Sequence, residues 1–145
     1  MIILSSYSNV EKQKIVFDAY LNPKRKKDGI KINSKTIIEN SNICVDNLKI
    51  NLVFKRDVLT SAEYEAIGCS IFLASIELML EELMNKSKEE IRNIIDAYFE
   101  MINNSRLDQN KSSVVNKLAV LENVKKHLNR LECASIIYRA ILRSL

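Results

Sequence analysis

The sequence predicts an α+β fold in which a small antiparallel sheet of two to three strands packs with about five helices. Only two glycines and one proline occur in the 145 residues, so obligate turns are few and long helices are favoured. The stretch from 36 to about 66 alternates apolar and polar residues, whereas the segments around it repeat apolar residues at helical spacing. Because the length suits one domain and no linker divides it, we expect a single domain over residues 1–145.

The first helix is predicted by its cap. Ser8 and Glu11 have the S-x-x-E spacing of a capping box, and Asn22-Pro23 should end the helix because proline cannot continue it. The apolar residues that fall close to one face are Val10, Phe17 and Leu21. We therefore expect a short amphipathic helix that buries this face.

The strands are predicted by alternation. The apolar members of the clearest run are Leu48, Ile50, Leu52 and Phe54. This period of two indicates a strand with one buried face. Arg56-Asp57 is the expected turn between two strands, although it lacks the glycine that is typical of a two-residue hairpin.

Helical spacing returns after Gly68. The expected buried face of the next helix carries Phe72, Ile76, Met79 and Leu83, with Glu77, Glu81 and Glu82 largely off it. A second capping box, Ser87 with Glu90, should open a helix whose apolar stripe is Ile91, Ile94, Ile95, Tyr98, Phe99 and Ile102.

A polar loop over about 103–113, a short helix over 114–121 and a final helix over about 124–144 complete the prediction. The residues expected on one side of the final helix, at alternating three- and four-residue steps, are Leu128, Leu131, Ser135, Tyr138, Leu142 and Leu145.

Composition excludes several classes of function. Twenty-two basic and eighteen acidic residues give a net charge of +4, which does not by itself indicate nucleic-acid binding. The basic run Lys24–Lys27 has no aromatic stacking platform beside it, so we expect it to be solvated and no nucleic acid to be a partner. A docking surface for an acidic partner is the alternative for this run. No apolar stretch is long enough to span a membrane, and Met1–Leu4 is too short for a signal-peptide core. We therefore expect a cytoplasmic protein without membrane partners.

The chemistry depends on three cysteines, Cys44, Cys69 and Cys133. An odd number argues against a disulfide framework and favours reduced thiols, either buried or metal-bound. Cys44 lies in a predicted loop, with Asp46 two residues later. Cys69 follows Gly68 at a predicted helix start, where backbone N–H groups and the helix dipole favour a thiolate.

Three sulfurs and one carboxylate match the donors that tetrahedral zinc accepts, or part of what an iron–sulfur cluster needs. Cys44, Asp46, Cys69 and Cys133 are thus candidate ligands, and Arg130 is the candidate cation that compensates their negative charge. Spacing alone leaves open that the cysteines are merely three buried apolar side chains. The single histidine, His127, is out of helical phase with Cys133, and we expect it to be a surface residue.

Four motifs together resemble the U-type iron–sulfur cluster assembly scaffold family, which includes NifU N-terminal domains and IscU. The residues that carry the resemblance are Gly68-Cys69-Ser70-Ile71, Tyr20-Leu21-Asn22-Pro23, Cys44-Val45-Asp46 and Arg130-Leu131-Glu132-Cys133-Ala134. Their order and spacing hold over about residues 9–143. All three cysteines fall on the family's ligand positions.

Within this family the chain is most similar to the SufU branch. Glu132 occupies the position before the third cysteine where the IscU branch has a ligand-type histidine, and the stretch 102–129 is long, as in SufU. Two positions depart from the family: Val45 and Ala66 replace glycines. A β-branched residue at 45 should stiffen the loop that carries Cys44.

The resemblance implies a zinc-bound protein that accepts sulfur from a SufS-like cysteine desulfurase and supports cluster delivery to client apoproteins. Cys44 is the expected acceptor, because a loop residue moves more easily than Cys133 in mid-helix or Cys69 at a helix start. Arg130 is expected to assist it. Two alternatives remain: a true scaffold that binds a nascent [2Fe–2S] cluster, and a non-catalytic helical interaction module with a structural zinc.

Overall fold

The computed structural model describes residues 7–43, 45–104 and 114–145. The α-helices in these ranges are α1 (Asn9–Leu21), α2 (Ser70–Leu83), α3 (Lys88–Asn104) and α4 (Leu128–Ser144). The strands are β1 (Ile37–Asn40), β2 (Asn47–Lys55) and β3 (Val58–Ile67), and two 3₁₀ helices are η1 (Asn116–Leu121) and η2 (Val124–Lys126). The predicted α+β class, with a small antiparallel sheet and surrounding helices, is confirmed.

The sheet has the order β1-β2-β3, and both pairs are antiparallel. The predicted alternation in β2 is confirmed, since Leu48 and Ile50 are fully buried while their neighbours are less so. The turn at Arg56-Asp57 is also confirmed. Both residues have positive φ, 52° and 64°, so the turn takes the left-handed backbone of a tight hairpin without a glycine.

Helix α2 lies at the centre of the molecule, between α1, α4 and β3. Its predicted face is buried, but so are the remaining residues from 72 to 80. Glu77, which was expected to be off the buried face, is only 6% exposed. Its Oε2 accepts hydrogen bonds from the Tyr64 hydroxyl at 2.6 Å and from the Arg25 backbone N–H at 3.1 Å. The prediction was wrong for Glu77 because the sheet and the segment after α1 cover that side of the helix.

Helix α1 confirms the predicted cap but buries a different face. Ser8 and Glu11 exchange the two hydrogen bonds of a capping box at 2.9 and 3.1 Å. The expected face is exposed at Val10, Phe17 and Leu21. The side chains that pack on the core are instead Ile15, Val16 and Ala19, beside an ion pair of 2.7 Å between Lys12 and Glu122.

The basic run after α1 is more ordered than its composition suggests. The backbone N–H of Lys27 donates to the Tyr64 carbonyl at 2.7 Å, and the N–H of Tyr64 donates to the Arg25 carbonyl at 3.1 Å. These bonds place residues 25–27 along the edge of β3. The side chains of Lys24, Lys26 and Lys27 are exposed, as expected.

The capping box of α3 is confirmed by hydrogen bonds of 3.0 and 3.1 Å between Ser87 and Glu90. Its stripe is buried except at Phe99, which stacks on Tyr138 with ring centroids 4.3 Å apart. Helix α3 continues to Asn104, and the rest of the predicted polar loop, 105–113, lies outside the described residues.

The C-terminal region differs from the prediction in two ways. The short helix over 114–121 includes the 3₁₀ helix η1, and α4 starts at Leu128 rather than near 124 because η2 comes between them. Leu128 is exposed, whereas Leu131, Tyr138 and Leu142 are partly buried against the core, beside the buried Cys133, Ile137 and Ile141. In the described ranges, no helix combines the length and apolar character needed to cross a membrane.

Candidate metal centre

Three segments that are distant in sequence meet at one end of the sheet. Asp46 immediately precedes β2, Cys69 lies between β3 and α2, and Cys133 is in the second turn of α4. Because Asn47 pairs with Ile67 across the β2–β3 ladder, Asp46 is brought beside the residues that follow β3. One carboxylate oxygen and the two sulfurs lie within 4.8 Å of one another. Three of the four predicted ligand side chains therefore form one cluster.

Asp46 has one oxygen satisfied and one without a partner. The residue is 3% exposed, and its Oδ1 accepts a hydrogen bond of 3.1 Å from the backbone N–H of Cys69. Its Oδ2 is buried and has no hydrogen-bond partner within the described part of the chain. A buried carboxylate oxygen without a donor is costly unless a cation compensates it. Asp46 thus has the environment of a metal ligand.

Cys69 caps the N-terminus of α2. Its Sγ accepts from the backbone N–H of Phe72 at 3.5 Å, so the sulfur lies at the positive end of the helix dipole, as the sequence predicted. The Sγ atoms of Cys69 and Cys133 are 3.3 Å apart. Neither sulfur is in a disulfide, so both are available to a ligand.

Cys133 is the buried member of the pair. Burial, followed by the neighbouring Asp46 carboxylate and Cys69, raises the pKa of the Cys133 thiol far above its ordinary value. These causes all disfavour a second negative charge in the cluster. A divalent cation among the three side chains would reverse that effect, because it favours the deprotonated sulfur.

Gly68 lies in one of the motifs named above, but the sequence did not predict its role in this site. A Cβ at position 68 would collide with Asp46 Oδ1 and the Phe72 ring, and would lie 2.8 Å from Asp46 Cγ. Only a residue without a side chain lets Asp46 approach the start of α2. The sequence offers one indication of this role: the chain has only two glycines, and one of them directly precedes a cysteine.

The fourth predicted ligand, Cys44, lies outside the described residues. Its neighbours Ile43 and Val45 are exposed, by 61% and 83%. The Ser41 backbone N–H donates to the Asp46 carbonyl at 3.0 Å. Asp46, two residues after Cys44 in sequence, is the described residue of this stretch that belongs to the cluster.

Arg130 and His127 lie at the N-terminal end of α4 and are both exposed. Arg130 lines a groove of about 540 Å³ together with Ser70 and Ile71, the two residues that follow Cys69. Among the described residues, His127 is not in the cluster of side chains able to hold a metal. The structure thus places Arg130 near the start of α2 and leaves His127 at the surface.

Comparison with protein families gives one match over most of the chain. Residues 11–134 match the model of the NifU-like N-terminal domain. The zinc-dependent sulfurtransferase SufU of Bacillus subtilis is 25% identical over 129 residues, which cover 89% of this chain and 85% of that protein. The iron–sulfur cluster assembly scaffold protein IscU of Thermotoga maritima is 27% identical over 117 residues, which cover 79% of this chain and 80% of that protein.

Solved structures share the fold. The iron–sulfur cluster assembly scaffold protein of the SUF system from Fervidobacterium islandicum aligns with a TM-score of 0.79 at 21% identity, over 94% of both chains. The N-terminal part of a nitrogen-fixing NifU-like protein from Brucella abortus aligns with a TM-score of 0.76 at 16% identity, also over 94% of both chains. The arrangement of sheet and helices is therefore a known fold.

Proposed function

The chain belongs to the family of NifU-like N-terminal domains, and from this premise we propose that it is an iron–sulfur cluster assembly protein that accepts sulfur from a cysteine desulfurase. The proposed site consists of Cys44, Asp46, Cys69 and Cys133. The observation that carries the proposal is the buried Asp46 Oδ2, which has no partner in the described ranges although two sulfurs adjoin its side chain. Such an arrangement suits a cation-binding centre more than an apolar core.

Zinc fits this donor set. Two sulfurs and one carboxylate oxygen lie within 4.8 Å of one another, and Cys44 would supply a third sulfur, which gives the four donors that tetrahedral zinc accepts. Bound zinc would keep the cysteines deprotonated at neutral pH. The similarity to a zinc-dependent sulfurtransferase supports the same choice of metal.

Cys44 is our candidate for the residue that accepts sulfur. Its thiolate attacks the terminal sulfur of the desulfurase persulfide, the S–S bond of that persulfide breaks, and the desulfurase cysteine leaves as a thiolate. A new S–S bond then joins the transferred sulfur to Cys44, and no external oxidant or reductant is consumed. The other two sulfurs are held by packed elements, because Cys133 is buried within α4 and Cys69 caps α2.

Arg130 is proposed as the cation that serves this site. Three thiolates and one carboxylate around a divalent cation leave an excess of about two negative charges. Arg130 lines the groove that begins beside Cys69, so its guanidinium can offset this charge or attract an incoming persulfide anion. The proposed partners are a SufS-like cysteine desulfurase and client apoproteins. Because reactive thiols need a reducing compartment, we place the reaction in the cytoplasm.

A true scaffold is the second candidate function. The same donors can bind iron, and the similarity to an IscU scaffold protein favours a nascent [2Fe–2S] cluster as cargo. A structural zinc in an interaction module would use the same residues without exchange. Exchange of a metal ligand therefore distinguishes a structural zinc from a sulfur acceptor and from a scaffold.

Metal analysis of protein purified without oxygen tests the proposal. We expect a colourless protein with about one zinc per chain. A brown protein containing iron and sulfide would favour the scaffold, and protein that binds neither metal would refute the site. The Cys44→Ser variant should retain part of its zinc and lose sulfur transfer, whereas zinc that never exchanges with added cadmium would indicate a structural site.

A further inference from the structure

Glu132 lies next to Cys133 in sequence but is engaged in a different set of contacts. Arg139, two turns further along α4, binds its carboxylate through two hydrogen bonds, Nη1 to Oε1 at 3.0 Å and Nη2 to Oε2 at 3.2 Å. The Nε of Arg139 also donates to Glu39 on β1 at 3.3 Å. A two-pronged pair of this kind fixes the orientation of the carboxylate.

The same carboxylate reaches the segment that leads to the candidate metal centre. The backbone N–H of Asn42 donates to Glu132 Oε2 at 3.4 Å, and the side chain of Ser41 also hydrogen-bonds to this carboxylate. Ser41 in turn donates its backbone N–H to the Asp46 carbonyl at 3.0 Å. A continuous series of polar contacts therefore joins α4 to the residue whose side chain enters the cluster.

Both oxygens of the Glu132 carboxylate are used in these contacts. Each accepts a hydrogen bond from Arg139, and Oε2 also accepts the one from the Asn42 N–H. The same side chain is therefore bonded to α4 on one side and to the backbone before Asp46 on the other.

We propose that Glu132, held by Arg139, is a positioning residue that anchors Ser41 and Asn42 and, through the hydrogen bond from Ser41 to the Asp46 carbonyl, fixes Asp46 at the candidate metal centre. The consequence for metal retention rests on the function proposed above, whereas the anchoring itself does not. The side chain touches neither sulfur in this role. It acts through the backbone of Ser41 and Asn42.

Glu122 provides a matched control. Its carboxylate also forms an ion pair, with Lys12 at 2.7 Å, and its side chain is 16% exposed compared with 15% for Glu132. Lys12 belongs to α1 rather than to the segment 41–46. A Glu122→Ala variant thus removes an equally covered carboxylate from another part of the molecule.

Amide hydrogen exchange in the metal-free protein tests the anchoring directly. In Glu132→Ala, we expect the exchange of Asn42 and Ile43 amides to increase about tenfold or more, as the loss of hydrogen bonds to a charged group implies. Glu122→Ala should leave these amides unchanged, and Arg139→Gln should give a smaller increase. Glu132→Gln, which keeps an acceptor oxygen, should partly restore protection. Unchanged exchange in Glu132→Ala would overturn the proposal. If Glu132→Ala does not fold, exchange in Arg139→Gln provides the same test.

Zinc release to a chromogenic chelator gives the second readout. Glu132→Ala should release zinc at least several-fold faster than both the wild type and Glu122→Ala. Faster amide exchange in a protein whose wild type binds no zinc would support the anchoring and refute the proposed function. Zinc binding by the wild type together with unchanged amide exchange in Glu132→Ala would support the proposed function and refute the anchoring.

Discussion

At the scale of single residues, Gly68 controls how closely Asp46 approaches α2. A methyl group at this position would overlap the Asp46 carboxylate and the Phe72 ring. We predict that Gly68→Ala lowers stability by about 1–3 kcal/mol, the range typical of overpacking, and weakens zinc binding. Zinc titration and urea unfolding would measure both effects.

Gly29 is the control for that substitution. A Cβ built at position 29 meets no atom within 4 Å, so Gly29→Ala should match the wild type in zinc affinity and stability. If Gly68→Ala behaved like Gly29→Ala, the close approach of Asp46 to the start of α2 would not matter for the site.

Arg130 is a second residue whose role can be tested alone. We predict that Arg130→Ala preserves the fold and lowers zinc retention or sulfur acceptance about tenfold, the smaller end of effects seen when a group supporting a metal site is lost. Arg92→Ala, which removes an exposed cation from α3, is the control. Equal behaviour of the two variants would make Arg130 an ordinary surface residue.

The sequence predicted side chains that the fold brings together but not the residues that position them. Donor types, together with the resemblance of four motifs to a known family, selected Cys69, Cys133 and Asp46, and the structure brings these three side chains together. The roles of Gly68 and Glu132 depend on which atoms the fold places next to them. Such contacts between distant segments leave no local pattern.

At the scale of elements, Glu77 connects α2 to the sheet. Its carboxylate accepts the buried Tyr64 hydroxyl at 2.6 Å and the Arg25 N–H. We predict that Glu77→Ala costs about 1–3 kcal/mol, because it leaves a buried donor without a partner. Urea unfolding followed by circular dichroism would measure the loss.

Glu81 on the same helix is the matched control for Glu77. It forms an exposed ion pair with Lys117 at 3.2 Å, and exposed pairs contribute at most about 1 kcal/mol. Glu81→Ala should therefore change stability little. An equal loss in both variants would mean that the buried hydrogen bonds of Glu77 contribute nothing specific.

Helix starts and turns were predictable because their signals are local. Both capping boxes and the turn at Arg56-Asp57 are formed by residues that contact their own neighbours in sequence. The buried face of α1 was not predicted correctly, because a short helix with apolar residues on several sides is oriented by the elements that pack on it. In α1 those elements are α2 and η1.

At the scale of the whole molecule, the candidate metal centre brings together side chains from segments that are distant in sequence. Asp46, Cys69 and Cys133 come from three separate parts of the chain. We predict that chelation lowers the melting temperature by about 10 °C. This is the effect expected when a ligand whose concentration far exceeds its dissociation constant is removed. Calorimetry with and without chelator measures this change, with Asp46→Asn as the variant in which it should shrink. Identical melting temperatures would argue against a shared metal.

The claim that this protein accepts sulfur is tested most directly by mapping persulfides. The protein, loaded with zinc, is incubated with a cysteine desulfurase and cysteine, alkylated, digested and examined by mass spectrometry, with a sample lacking cysteine as the control. We predict one added sulfur atom on the peptide that contains Cys44, and none in the Cys44→Ser variant. Sulfur on Cys69 or Cys133 instead would contradict the assignment of the acceptor, and no added sulfur on any cysteine would contradict sulfur transfer itself.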